Sequence, residues 1–324
     1  MRVLITGGCG FIGHHFVEHF IKATDWDIVV LDKLNYSGSF DRLRDISCMP
    51  HPRVQVFTHD LELPVPHNLI KELGKIDCIF HLAAETHVDR SISDPRPFVV
   101  SNVIGTMNIL DVAKAIGAVF YYFSTDEVFG PAPDGVEFKE DDVLSPKNPY
   151  AASKAGGEML VTAYANTYGL PCLITRCMNV FGERQHPEKF IPRIIRACMT
   201  GEKLLIHADC TRTRPGSRFW IHARNVADAY RWLVQSGMPD VYHIVGEREI
   251  DNLSMAQMIA SEIGKELYFE LVDFHSSRPG HDLRYAMADT KLRPGGWQCP
   301  VPFEDSLKRT VEWTLKSKQW LTLE

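Results

Sequence analysis

No metal or disulfide framework is visible in this chain: its 8 cysteines (Cys9, Cys48, Cys78, Cys172, Cys177, Cys198, Cys210 and Cys299) include no Cys-x-x-Cys pair and no metal-ligand spacing. They read as reduced thiols of a cytosolic protein, with Cys78 and Cys172 acting as small hydrophobes inside apolar runs; no metal is expected. An excess of positive charge is also lacking. The formal net charge of −6 argues against a nucleic-acid or membrane surface, yet leaves room for a local cluster of Arg and Lys to hold a small anion. No apolar run approaches membrane-spanning length, and Met1–Thr6 reads as a strand entering a glycine-rich turn rather than as a cleavable signal. A cytoplasmic protein without a membrane partner is expected. Internal repeats, low-complexity tracts and a clear flexible linker are missing as well.

What is present is ordinary globular composition, 45% hydrophobic and 23% charged over 324 residues, enough for one large or two modest domains. Short apolar runs alternate with helix-like segments: Val3–Thr6, Phe11–Ala23, Ile28–Leu31, Val54–Phe57, Asp77–His81, Val99–Ile116 and Val119–Ser124. Tyr150–Tyr168 reads as a long helix closed by Gly169 and Pro171, and Cys172–Arg176 as the next strand. The alternation predicts an α/β fold, a doubly wound parallel (Rossmann) sheet with right-handed crossovers. After residue 177 the pattern becomes turn-rich and Arg-rich. The expectation is a cofactor domain over 1–177 and a smaller α+β lobe over 178–324, interleaved with it. In that lobe Arg212, Arg214, Arg218, Arg278 and Arg284 are either a solvated surface or a diphosphate clamp, since guanidinium forks match phosphate oxygens.

Gly7-Gly8-Cys9-Gly10-Phe11-Ile12-Gly13 follows a strand and opens a helix. Glycines there allow a tight turn and let a pyrophosphate approach the helix N-terminus, where free N–H groups favour anions. Asp32 ends the second strand, where a carboxylate accepts hydrogen bonds from a ribose diol and repels a 2′-phosphate, so NAD is expected over NADP. Asp60 lies after the third strand, and Leu82-Ala83-Ala84 supplies small residues after the fourth; Lys33, Asn35 and Leu61 complete this candidate set. A mononucleotide-binding loop would want a Lys-Ser/Thr pair after the glycines, and His14-His15 stand there instead.

The unusual feature is an adjacent pair of carboxylates, Asp126-Glu127, directly after Ser124-Thr125 at the expected end of a buried strand. Alone, such a pair is a solvated turn. Downstream, Tyr150 and Lys154 lie four apart on one helix face, so the ammonium is expected to lower the phenol's pKa and to hold the nicotinamide ribose. A phenol so tuned can take a proton from a sugar hydroxyl as hydride leaves.

These residues, with His81–Ser91, Ser124–Gly130, Pro149–Gly156, Pro187–Pro192 and Arg278–Asp282, resemble the extended short-chain dehydrogenase/reductases, and within them the nucleotide-sugar 4,6-dehydratases of the dTDP-glucose type. The match runs over nearly the whole chain in the family's order. It implies Tyr150 assisted by Thr125 as base at the C4 hydroxyl, Glu127 as base at C5, Asp126 as acid at the departing C6 hydroxyl, and Lys154 beside the cofactor. Substrate contacts are implied at Thr86, His87, Asn179, Lys189, Phe190, His207, Arg218, Asn252, Arg278 and His281, with Ser101 and Asn179 on the cofactor side. The long helices Val99–Ile116 and Tyr150–Tyr168 resemble those that build a four-helix homodimer interface in this superfamily.

Three departures stand out: Val180 in place of a second Asn, Glu183-Arg184-Gln185 after the glycine, and His207 with a lengthened Cys210–Gly216 before Arg218. They leave the base, thymine or uracil, and the sugar open. A 5,6-dehydratase, a 4-epimerase, a uronic acid decarboxylase and a non-catalytic NAD-sensing protein are the alternatives; Asp126 beside Glu127 speaks for dehydration.

Overall fold

The computed structural model describes residues 1–273 and 283–322. Seven strands form one all-parallel sheet: β1 (Arg2–Thr6), β2 (Asp27–Asp32), β3 (Val54–Thr58), β4 (Cys78–His81), β5 (Val119–Thr125), β6 (Cys172–Cys177) and, from the second half of the chain, β10 (Val241–Ile244). Their order is β10-β6-β5-β4-β1-β2-β3. Register is set by side-chain alternation: Val3 and Ile5 of β1 enter one core with Ile28, Val30 and Phe80, while Leu4 enters the other with Val29, Leu31 and Ile79. Helices Phe11–Ala23 and Ala223–Ser236 cover the first face; helices Arg96–Ile116 and Pro149–Tyr168 cover the second. Both faces are dry, which is why these strands read as continuous apolar runs.

Because every strand is parallel, the C-terminal ends of β1, β2, β4, β5 and β6 share one edge, and the order reverses between β1 and β4. Ligands of open α/β sheets bind in that crevice.

The remaining strands form two small sheets. β7 (Asn179–Phe181), β9 (Ser217–His222) and β11 (Glu249–Asp251) lie in the order β11-β9-β7, and β8 (Leu204–Ala208) pairs with β12 (Phe269–Asp273). A separate core of Phe181, Ile191, Ile194, Ile195, Ile206, Ile259 and Val311 holds them to helices Phe190–Thr200, Asn252–Ile263 and Phe303–Lys316.

Two sequence expectations need amending, the bounds of one helix and the lack of any run of membrane-spanning length. The helix read as Val99–Ile116 starts three residues earlier and contains a π turn over Val100–Ile104; at 21 residues, Arg96–Ile116 is long and apolar enough by composition to cross a bilayer. Its apolar face is nevertheless used inside the protein, where Ile109, Leu110, Val112 and Ala113 are buried against the sheet.

Candidate active site

The glycine turn is built by close approach. Gly7 has φ 70°, and a Cβ there would come within 2.9 Å of the Ala83 backbone across the β1/β4 crevice; one on Gly13 would stand 2.1 Å from Gly7 O. Gly10 caps helix Phe11–Ala23 without a side-chain hydrogen bond and no acidic residue fills the first turn, so the first helical amides face the crevice for an anion. Asp32 is buried; its Oδ2 accepts from Cys9 N and its Oδ1 from Leu34 N, both at 2.9 Å. Burial pushes the carboxyl up, opposed by those N–H groups and by the Arg42 charge. A dinucleotide fits this cradle, because the glycines let the β1 turn pack directly on the backbone around Ala83 and on the helix start, leaving the helix N-terminus open to a pyrophosphate.

One cleft is lined by Gly7, Gly10–Gly13, Asp32, Lys33, Asn35, Asp60, Leu61, Leu82–Ala84 and Ser101, together with Thr86, His87 and Lys189. Tyr150, Lys154 and Asn179 lie outside its lining, as do Thr125, Phe190, His207, Arg218 and Asn252. Sequence reasoning missed Tyr36, Arg42, Glu85, Gln185, His186 and Glu188, which also line it. Proximity to Asp32 signals Tyr36, and Glu85, Gln185 and Glu188 lie in segments singled out above without being read as site residues; nothing local signals Arg42 or His186.

At the end of β5, Thr125 caps a short 3-10 turn, Asp126–Phe129, and its Oγ1 donates to Asp126 Oδ1 at 2.8 Å. Asp126 is 5% exposed, and its Oδ2 has no hydrogen-bond partner among the described residues. Burial pushes this carboxyl up to about 6, against the Thr125 hydrogen bond and the Arg218 charge. Glu127 is half-buried, and its Oε2 accepts from Asn148 Nδ2 at 2.9 Å. The same Asn148 caps helix Pro149–Tyr168 by accepting from Ala151 N at 2.8 Å, so one side chain starts the helix that carries Tyr150 and aims Glu127. Two neighbouring carboxyls thus occupy different environments, which is how one site separates an acid from a base.

The expected lowering of the Tyr150 phenol is corrected by the structure. Burial raises it, the Glu127 charge raises it further, and a hydrogen bond with Thr125 opposes both. Lys154 Nζ stands 4.3 Å from the centre of the Tyr122 ring, and burial brings its ammonium down to about 7. Tyr122 also donates to Lys154 O at 3.1 Å, in a space that Gly157 opens. Four-residue spacing puts Tyr150 and Lys154 on one helix face, but packing against β5 decides where the ammonium rests.

Asn102, in the π turn, accepts from Glu85 N at 2.8 Å and donates to Ser153 Oγ at 2.8 Å, joining the cleft wall to the Tyr150 helix. Lys189 Nζ donates to Thr86 O at 3.4 Å, and burial lowers its ammonium while Glu127 and Glu188 raise it. Asn179 pairs with Trp220 between β7 and β9 and Arg218 with Ile250 between β9 and β11, so these two share one small sheet, while Asn252 opens the helix that follows β11 and its N donates to Gly216 O just before β9. Phe190 stacks on Trp220 at 5.9 Å. His207 sits in β8 opposite Val272. The five-arginine clamp shrinks: Arg214 pairs with Asp134, and Arg284 pairs with Glu249 while donating to Pro133 O and Val136 O. Fixed carboxylates already hold these two charges. Arg218 packs over the Tyr285 ring at 4.5 Å. Arg278 and His281 lie outside the described residues.

Comparison with known proteins agrees over the full length. The family model described as GDP-mannose 4,6 dehydratase matches residues 4–316. The low-salt glycan biosynthesis protein Agl12 of Haloferax volcanii is 40% identical, over 97% of this chain and 99% of that protein. The dTDP-glucose 4,6-dehydratase of Salmonella typhimurium is 37% identical, over 99% of this chain and 94% of its own. Among solved structures, the dTDP-glucose 4,6-dehydratase of Streptomyces venezuelae, determined with NAD bound, superposes with a TM-score of 0.89 at 35% identity, covering 99% of this chain and 98% of that one. Sequence and fold therefore place the chain in the GDP-mannose 4,6 dehydratase family, among the extended short-chain dehydrogenase/reductases.

Proposed function

We propose that this protein is an NAD-dependent nucleotide-sugar 4,6-dehydratase, converting dTDP- or UDP-glucose to the 4-keto-6-deoxy sugar nucleotide. The observation that carries this reading is the Asp126-Glu127 turn: one carboxyl buried with its pKa raised to about 6, the other half-buried and oriented by Asn148. When bound, NAD supplies a hydride acceptor at C4 and a donor at C6. Tyr150, hydrogen-bonded with Thr125, would take the C4 hydroxyl proton as the phenolate, so its own proton must first be released; the Lys154 ammonium one helical turn away and the positive charge that oxidised NAD would bring favour that release against burial. The resulting 4-ketone acidifies C5. Glu127 removes the C5 proton, while Asp126, neutral below about pH 6, protonates the C6 hydroxyl so that it departs as water. The sugar loses one water and the cofactor ends as it began.

Gly7, Gly10–Gly13, Asp32, Lys33, Asn35, Asp60, Leu61, Leu82–Ala84 and Ser101 would hold NAD, with Asn179 on the cofactor side. Thr86, His87, Asn179, Lys189, Phe190, His207, Arg218 and Asn252 would hold the sugar nucleotide, over a boundary between lobes near residue 177. We also propose a cytoplasmic homodimer, formed by the helices Arg96–Ile116 and Pro149–Tyr168. Val99, Ile104, Met159 and Tyr168, on those two helices, are exposed apolar side chains that a second copy would cover.

The decisive experiment incubates the protein with NAD and, separately, dTDP-glucose, UDP-glucose and UDP-N-acetylglucosamine. A base-labile 4-keto chromophore with loss of one water by mass is expected from a glucose nucleotide. Absence of both signals with dTDP-glucose and UDP-glucose refutes the reading; product from the N-acetyl sugar alone moves it to the 5,6- or 4,6-dehydratases of that substrate.

A further inference from the structure

Glu183-Arg184-Gln185 departs from the family pattern, and its partners are found far away in the chain. Gly182–Lys189 forms a strap whose later residues, Gln185, His186, Glu188 and Lys189, line the cofactor cleft. It is anchored almost residue by residue. A Cβ on Gly182 would meet His15 Nε2 and His222 Nε2, each at 3.0 Å, and Glu183 Oε2 accepts from His222 Nε2 at 2.9 Å. Arg184 adopts φ 64°, a left-handed conformation that costs any residue with a side chain free energy and persists only where its surroundings enforce it. Its Nε donates to Asp45 Oδ2 at 2.5 Å, and its guanidinium stacks 4.4 Å over Trp313.

The last anchor is Arg42, which is 4% exposed. Its Nη1 donates to Cys9 O at 3.3 Å and Ser37 O at 2.8 Å, and its Nε donates to Arg184 O at 3.3 Å. All three acceptors are backbone carbonyls, and no ion pair involves Arg42 among the described residues. Trp320, from the 3-10 turn Lys318–Leu321, covers it at 5.3 Å. Burying a cation whose hydrogen-bond acceptors are all carbonyls is costly, and only the Trp320 ring and the more distant Asp32 charge offset it. Burial brings its guanidinium down to about 10, and the opposing charge is Asp32.

We propose that Arg42 is a positioning residue of the cofactor site, fixing the glycine-rich turn, the loop after Asp32 and the Gly182–Lys189 strap in one arrangement through three backbone carbonyls. This rests on the reading that the cleft takes NAD. The fork geometry is what matters: a planar guanidinium reaches three carbonyls at once, whereas an ammonium on a flexible stem holds no such fixed fan.

Arg42→Lys and Arg42→Gln test it, with NAD binding measured by quenching of tryptophan fluorescence and strap order by amide hydrogen exchange. Both variants are expected to raise the Kd for NAD at least fivefold, with KM for NAD rising more than kcat falls. Exchange over residues 182–189 in the absence of NAD should quicken at least tenfold while the β1, β4 and β5 amides keep their wild-type rates. Should Arg42→Gln not fold, Arg42→Lys alone decides. A Kd within twofold of wild type in Arg42→Lys, or unchanged strap exchange, overturns the proposal. Wild-type protein that fails to bind NAD sinks the cofactor reading of the cleft and this proposal together.

Discussion

Asp126→Asn separates what the buried carboxyl does for catalysis from what it costs the fold. Burial raises the group from 3.8 to about 6. At about 1.4 kcal/mol per pH unit, ionised Asp126 weakens the folded state by up to about 3 kcal/mol. The sign follows from proton binding. Below pH 3.8 both states are protonated and nothing is lost. Between 3.8 and 6 the folded protein keeps a proton that the unfolded chain has released, so stability falls as pH rises, and above 6 the full cost is present. Asn mimics the neutral acid and keeps the acceptor for Thr125 Oγ1. The variant is therefore expected to be more stable than wild type by up to about 3 kcal/mol at pH 8 and by about half of that at pH 5. Urea unfolding at the two pH values measures this. Single-turnover mixing with substrate should show elimination slowed far more than oxidation. Equal stabilities at pH 8, or a gap that does not narrow toward pH 5, would refute the buried-acid reasoning whatever the kinetics show.

Glu127→Gln should still generate NADH absorbance when substrate is added yet release no dehydrated sugar; ordinary turnover would remove Glu127 as the C5 base. Asn148→Ala is expected to cost about 1 kcal/mol through the lost helix cap, and to slow C5 proton exchange with solvent deuterium; an unchanged exchange rate would show that Asn148 does not aim Glu127. Gly157→Ala places a Cβ 2.1 Å from the Tyr122 hydroxyl, so a loss of about 1–3 kcal/mol is expected in thermal melts, and an unchanged melt would contradict the close packing. Glu158→Gln breaks a fully buried ion pair with Arg176 and should cost about 3–5 kcal/mol; a cost under 1 kcal/mol in urea unfolding would mean that the pair is solvated.

Much of the scaffold was legible because its signals are local. The strand before Gly7, the helix Phe11–Ala23 and the strand ending at Asp32 follow from period and punctuation within a few residues, and the structure matches them closely. Pro149 and Gly169 bracket the Tyr150 helix for the same reason. Helix Arg96–Ile116 was harder: its first turn carries Pro97, compatible with a helix start but outside the apolar run that begins at Val99, and a π turn shifts the register inside it.

The sequence by itself determined the order of elements, the glycine turn, the carboxylate pair and their place at the ends of parallel strands, because these depend on backbone conformation and side-chain period over short stretches. Only the tertiary structure decided which charges meet. Arg42 reaches a carbonyl 142 positions away, Arg214 and Arg284 go to Asp134 and Glu249 rather than to a clamp, Lys154 rests over Tyr122, and Asp126 becomes the enclosed partner of a pair that is symmetric in sequence. Charge and proton affinity depend on burial and on neighbours brought close by folding, and no local pattern encodes either.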